Sequence, residues 1–209
     1  MASTARRRPP SSPRAAYHHG DLRRALLDAA LSLVEERRIT ELSLREVARR
    51  AGVTYAAPYH HFADKSALLA AVASQGFEGL VSELERVAAR RTSLESELLG
   101  MAEAYVAFAA AHPSHYRVMF LPDVKASPDT QALHAAADRA FTMLVERVAR
   151  ARAGEPERMH RILATTVWAA LHGLSLLAID GMLQDKFPKA GMMTRSACRL
   201  IVGMVMRDA

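Results

Sequence analysis

The sequence contains a single cysteine, Cys198, so no intrachain disulfide can form, and an intermolecular one in a cytosolic helix would be unusual. Cys198 reads as a small core hydrophobe. Aromatic residues make up only 6% of the chain, and β-branched residues are sparse outside short runs, so there is little from which to build strands. Catalytic signatures are missing too: there is no G-x-S-x-G elbow, P-loop, G-x-G-x-x-G or H-E-x-x-H. Glu157-Arg-Met-His160 has the E-x-x-H spacing of a di-iron bundle, but it occurs once where that fold needs it twice. His112 and His115 are separated by Pro113, which marks a helix boundary, and they lack a third ligand. We therefore expect no enzyme, no metal site and no cofactor.

Targeting segments are lacking as well. The basic start Met1–Arg14 runs into Pro, Ser and His instead of an apolar h-region, so no signal peptide is expected. One uncharged stretch, Ile162–Ile179, is 18 residues long, the lower limit for a membrane span. Thr165, Thr166, His172 and Ser175 reduce its hydrophobicity, so it reads as a helix buried inside a protein, and a cytoplasmic chain with no membrane partner is expected.

What is present is core material. Half of the 209 residues are hydrophobic, with alanine and leucine abundant, which favours an all-α fold. The formal charge of +6 is uneven: residues 1–65 carry 12 Lys/Arg against 7 Asp/Glu, residues 66–209 carry 16 against 15. A basic head suits a polyanion, although a short basic tail supplies much of the same excess.

Residues 1–16, with Arg6–Arg8, Pro9, Pro10 and Pro13, read as a disordered basic arm that either enters a minor groove or adds nonspecific attraction. A helix is expected from near Asp21, placed as its cap, with apolar residues Leu22, Ala25, Leu26, Ala29, Ala30 and Leu33 at spacings of three and four. Ser43-Leu-Arg-Glu46 has the S-x-x-E form of a capping box and opens a second helix, which Gly52 should end. Thr54 is then a candidate cap for a short third helix, Thr54–Phe62, which Pro58 should shorten or stiffen, and Asp64 for a long fourth from Lys65 to about Arg90. Apolar-periodic segments follow at roughly 93–111, 114–121, 128–152, 156–184 and 190–207, making about nine helices.

The segment Ser43–Phe62 has the mechanics of a helix-turn-helix. Ala48 is small where two helices cross, Gly52 makes the turn, and Val53 pins it to Leu44 and Val47. The same spacing also fits an αα-hairpin that merely packs. The continuation, Tyr59-His-His-Phe-Ala-Asp-Lys-Ser-Ala-Leu-Leu69, resembles in order and spacing the passage from recognition helix to helix four in TetR-family regulators, as does Tyr17-His-His-Gly-Asp-Leu22 at the first helix.

That resemblance covers residues 17–75 and implies a DNA-binding head at 17–66 and a ligand-binding, dimerising body at 67–209. It places Arg45, Tyr55, Ala56 and Ala57 where relatives reach base edges, Thr54, Tyr59 and Lys65 where they hold phosphates, and His60 in either role. Many relatives have glycine where Ala56 stands, so its methyl changes the approach to a base. Physical chemistry agrees with these assignments: Arg45 reaches a guanine edge, Tyr59 offers a hydroxyl, and Lys65 adds charge to a helix N-terminus.

In the body, Trp168-Ala-Ala-Leu-His172-Gly173 resembles the Trp, His, Gly signature of a subgroup of that family. Trp168 and His172 share a helix face, and Gly173 allows a neighbouring helix to come close. Each is divided between packing and ligand contact, as are Met101, Tyr105, Phe108, Met119, Phe120 and Phe141, from which the resemblance implies a small-molecule effector pocket. It also implies a homodimer through the last two helices, bound to a double-stranded palindromic operator and released by its ligand, a repressor. The competing reading is a helical ligand- or protein-binding protein without sequence-specific DNA recognition.

Overall fold

A computed structural model of the protein describes residues 19–36, 39–90, 93–125, 130–183 and 190–206. The basic arm at 1–16 lies outside the described residues. Among those described there is no strand, and eight α-helices of seven or more residues carry the fold: α1 (His19–Glu36), α2 (Leu44–Arg50), α3 (Lys65–Ala88), α4 (Leu94–Ala111), α5 (Pro113–Met119), α6 (Gln131–Ala151), α7 (Glu157–Ile179) and α8 (Ala190–Met206). Single helical turns lie at Ile39–Glu41, Ala57–His60 and Pro122–Lys125.

The difference from nine falls at Thr54–Phe62. Thr54 caps no α-helix there. The chain makes successive i→i−3 turns, Ala57 N–H to Thr54 C=O at 3.0 Å, Tyr59 N–H to Ala56 C=O at 3.2 Å and His61 N–H to Pro58 C=O at 2.9 Å. Pro58 has no N–H to give and disfavours the α conformation in Ala57, so the segment takes the tighter 3₁₀ form. The first helix also differs: it starts at His19, which puts Asp21 inside its first turn instead of at its cap.

Other boundaries follow local chemistry. Ser43 is extended, and its hydroxyl accepts from the Glu46 backbone N–H at 3.3 Å, opening α2. Gly52 closes it at φ +68, a conformation that glycine alone takes without penalty, while an added Cβ would have met open space. Gly52 N–H donates to Arg49 C=O and Val53 N–H to Ala48 C=O, a Schellman pair that aims Val53 back at the core. Asp64 caps α3 through its carboxylate, which accepts from Ala67 N–H at 2.8 Å.

Leu26 and Ala30 of α1, Val47 and Ala48 of α2, and Leu68 and Val72 of α3 are fully shielded and form the head core. The same α3 continues into the body and packs against α4, α5 and α6, while α4 packs in turn against α7 and α8. One hydrophobic cluster therefore runs from head to body.

Within this chain helix α7 is buried along one face only. It is long and apolar enough to cross a membrane, yet only 22% of its most apolar window is buried within the chain. Ala164, Val167, Leu171, Leu174 and Ser175 face inward, while Ile162, Leu177 and Gly173 face out. A Cβ on Gly173 would touch nothing among the described residues, so no described helix uses the room it leaves. Cys198 does pack as a core residue, and burial pushes its thiol up to about 11.

Candidate nucleic-acid interface and ligand cavity

The head presents six of its eight candidate DNA-contact residues on the loop and 3₁₀ turn that follow α2, with Arg45 on α2 and Lys65 at the start of α3. Pro58 is buried and Phe62 nearly so, the Phe62 ring being covered by the Arg23 guanidinium 5.4 Å from its centroid. With those two residues turned inward, Tyr55 is left 61% and Tyr59 55% exposed, beside exposed Thr54, Ala56 and His60 and half-buried Ala57. Tyrosines so far out of the core stabilise nothing by burial, and their rings and hydroxyls are available to another molecule.

The basic residues nearby divide by partner. Arg49 is held by Glu46 through two hydrogen bonds, at 2.6 and 3.0 Å, and Arg50 by Glu36 and Ser32. Arg45 is exposed and has no ion-pair partner among the described residues, so its guanidinium is uncommitted. Lys65 is partly committed: its ammonium donates to the carbonyls of Ile39 at 2.8 Å and Thr40 at 3.3 Å. One N–H remains for a phosphate.

In the body a cavity of about 500 Å³ opens between α3, α4, α5, α6, α7 and α8. Six of the eight candidate ligand residues stand in its wall: Met101, Tyr105, Met119, Phe120, Phe141 and Trp168. Phe108 does not. Gly79 leaves room against α3, and the Phe108 ring packs there, 3.3 Å from where a Gly79 Cβ would sit and 4.8 Å from the His112 ring centroid. His172 stands one layer behind the wall, with its ring 4.4 Å from Phe120 and stacked on Tyr116.

Sequence reasoning missed the part of the wall made by Phe77, Leu80 and Leu84 of α3 and by Val202 and Val205 of α8. Their apolar spacing is that of any core face, and nothing local separates a cavity wall from a packed interior. Polar groups are few. His134, Asp138 and Thr165 are exposed and sit at the rim, and Thr165 already donates its hydroxyl proton to the Arg161 carbonyl at 2.8 Å.

Behind the wall runs a hydrogen-bonded chain. Trp168 Nε1–H donates to the Tyr105 hydroxyl oxygen at 3.1 Å, the Tyr105 and Tyr116 hydroxyls are 3.0 Å apart, and Tyr116 Oη is 2.7 Å from His172 Nδ1. Burial pushes the pKa of both tyrosines up and that of His172 down, so all three are neutral near pH 7.

Residues 26–72 match the sequence profile of the bacterial regulatory proteins of the tetR family, and residues 98–201 match that of a tetracyclin repressor-like C-terminal domain. The HTH-type transcriptional activator FasR of Mycolicibacterium smegmatis is 30% identical over 148 residues, 68% of each chain. The chain belongs to the TetR family. An uncharacterised HTH-type transcriptional regulator of Mycobacterium tuberculosis is 27% identical over 187 residues, 88% of this chain and 82% of its own. Among solved structures, a protein of unknown function from Rhodococcus sp. RHA1 superposes with a TM-score of 0.77 at 34% identity, covering 93% of this chain and 100% of its own. FadR of Bacillus subtilis, solved in complex with stearoyl-CoA, shares the fold at a TM-score of 0.68 and 13% identity, covering 86% of this chain and 97% of its own.

The protein is therefore a TetR-type transcriptional regulator with a DNA-binding N-terminal domain, and not an enzyme. Family membership carries with it a small-molecule effector and dimerisation.

Proposed function

We propose that this TetR-family protein is a cytoplasmic homodimeric repressor that leaves a palindromic operator when an apolar small molecule enters the α3–α8 cavity. The observation that carries this reading is the continuity of α3, whose first residue, Lys65, lies at the head and whose Phe77, Leu80 and Leu84 form cavity wall. A ligand that moves that wall moves the head with it, and it acts as an inducer insofar as it prefers the state with the wrong head spacing.

The DNA contacts proposed are Arg45, Tyr55, Ala56 and Ala57 to bases and Thr54, Tyr59 and Lys65 to phosphates, with His60 beside them. The subgroup with the Trp, His, Gly signature on α7 is the proposed affiliation of the body. The outward faces of α7 and α8, with Ile162 49%, Leu177 41% and Leu200 67% exposed, are the proposed dimer seam. Gly173 would let two copies of α7 approach closely.

Protection of DNA flanking the protein's own gene tests the reading. We expect a discrete palindromic footprint in excess competitor DNA at physiological salt, lost in Tyr59→Ala. Uniform, salt-sensitive binding without a footprint would favour a helical protein that binds DNA only through charge. FasR is named an activator, so a promoter fusion should accompany the footprint: raised transcription without the protein is expected, and lowered transcription would reverse the sign proposed.

A further inference from the structure

The cavity wall is almost entirely apolar, and it holds one buried hydroxyl, that of Tyr105. Its residue is 7% exposed, lies in the wall, and is held from behind by Trp168 and Tyr116. Proton counting limits what that hydroxyl can do. The indole N–H of Trp168 is a donor only, so one lone pair of Tyr105 is always taken.

Tyr116 also meets the Ser175 hydroxyl, and of the orders open to the rest of the chain two run its full length. In one, Tyr105 donates to Tyr116 and Tyr116 donates to His172 Nδ1. In the other, His172 carries its proton on Nδ1 and donates to Tyr116, Tyr116 donates to Tyr105, and the Tyr105 proton is left over. The second order places two donors on the Tyr105 oxygen, and each polarises its O–H into a better donor in turn. The hydrogen bonds of the Tyr105 hydroxyl run to Trp168 and Tyr116 among the described residues, so in this order its proton turns to the cavity. Facing an apolar cavity, it costs free energy until an occupant supplies an acceptor.

Charge narrows the acceptor. Among the described lining residues there is no Lys or Arg, the Arg161 guanidinium lies against the Phe141 ring 5.8 Å from its centroid without itself lining the cavity, and Asp138 lies at the rim. A buried carboxylate would find no countercharge there.

We propose that Tyr105 is the specificity-determining residue of the cavity, its hydroxyl donating to an uncharged oxygen acceptor, a ketone, ester or amide carbonyl, on an otherwise apolar ligand. Trp168, Tyr116 and His172 are positioning residues that fix the direction of that donation. This inference rests on the proposed ligand cavity.

The test uses two isosteric probes, 2-undecanone and 2-methyl-1-undecene, which differ only in a C=O against a C=CH₂. Binding is read by the emission of Trp168, the only tryptophan in the chain, and by calorimetry. In the wild-type full chain we expect the ketone to gain over the alkene, and Tyr105→Phe to remove about three- to tenfold of that preference, the value of one net hydrogen bond, with alkene affinity unchanged. Tyr116→Phe should reduce the ketone preference less, and ¹⁵N shifts of His172 in the ketone complex should show the Nδ1–H tautomer. Undecanoate should bind more weakly than the ketone.

If both probes bind and Tyr105→Phe leaves their ratio unchanged, or His172 carries its proton on Nε2, the inference fails while the ligand cavity stands. Failure of both probes to bind overturns both, as does binding of the alkene alone.

Discussion

The Lys65 ammonium donates to the carbonyl of Ile39 at 2.8 Å, tying the first residue of α3 to the turn between α1 and α2. The same ammonium is the proposed phosphate contact through its remaining N–H, so on that reading a single substitution at Lys65 disturbs two roles together. Lys65→Met should destabilise the folded protein by about 1–2 kcal/mol through a lost charge-assisted bond. It should also weaken binding to all DNA sequences. Tyr59→Ala, on an exposed side chain, should weaken DNA binding with an unchanged melting temperature. Equal melting temperatures for both variants would show that the Ile39 contact contributes nothing.

Gly76 faces Met119 so closely that a Cβ there would lie 2.7 Å from Met119 Sδ and 2.8 Å from its Cγ. The methionine can swing away, but it is itself part of the cavity wall. Gly76→Ala should therefore cost about 1–3 kcal/mol by overpacking and shrink the cavity, lowering the affinity of its largest ligands. The double variant Gly76→Ala/Met119→Ala should recover binding. No recovery would mean that the added methyl acts on the backbone of α3.

Acid should loosen the body in a defined window. Burial lowers the pKa of His172, and burial together with His112 lowers that of His115. The unfolded chain then binds protons first as pH falls below the ordinary imidazole value of about 6.5. Their contribution to stability is present above that pH and is lost as pH falls through the folded values. Urea midpoints should drop between pH 7.5 and 5.5, and His115→Gln/His172→Gln should flatten the decline; an unchanged slope would assign the acid sensitivity elsewhere.

Leu200 is 67% exposed on α8, in line with the outward apolar face of α7. Leu200→Glu should leave the helical content intact and convert a dimer to a monomer by light scattering. Operator affinity should fall steeply with it, since two half-sites would then be read separately. A variant that stays dimeric would place the seam away from this helix.

Much of the head was legible in the sequence because its signals are local. Ser43, Gly52 and Asp64 each act on backbone groups within three residues, and each does so as their chemistry demands. Thr54 misled for the same reason: a good cap two residues after a turn signal was outweighed by Pro58, whose effect reaches back over Ala57. In the body, Trp168 and Phe141 could be named as wall candidates by residue type, but Phe77 and Val205 could not. A cavity is a property of how six helices fail to fill a space, and no window of sequence contains all six. Phe108 shows the converse, since its place is decided by a missing side chain at Gly79, on another helix.

Helix α3 starts beneath the DNA-facing turn and ends as cavity wall, with no break in its 24 residues. On the proposed reading, taste in ligands and grip on DNA share this helix. A change at Phe77, Leu80 or Leu84 that admits a new effector would also reset the resting pose of the heads, whereas one at Phe141 would reach them less directly. Anyone refitting the protein as a sensor should begin on α6 and leave the shared helix untouched.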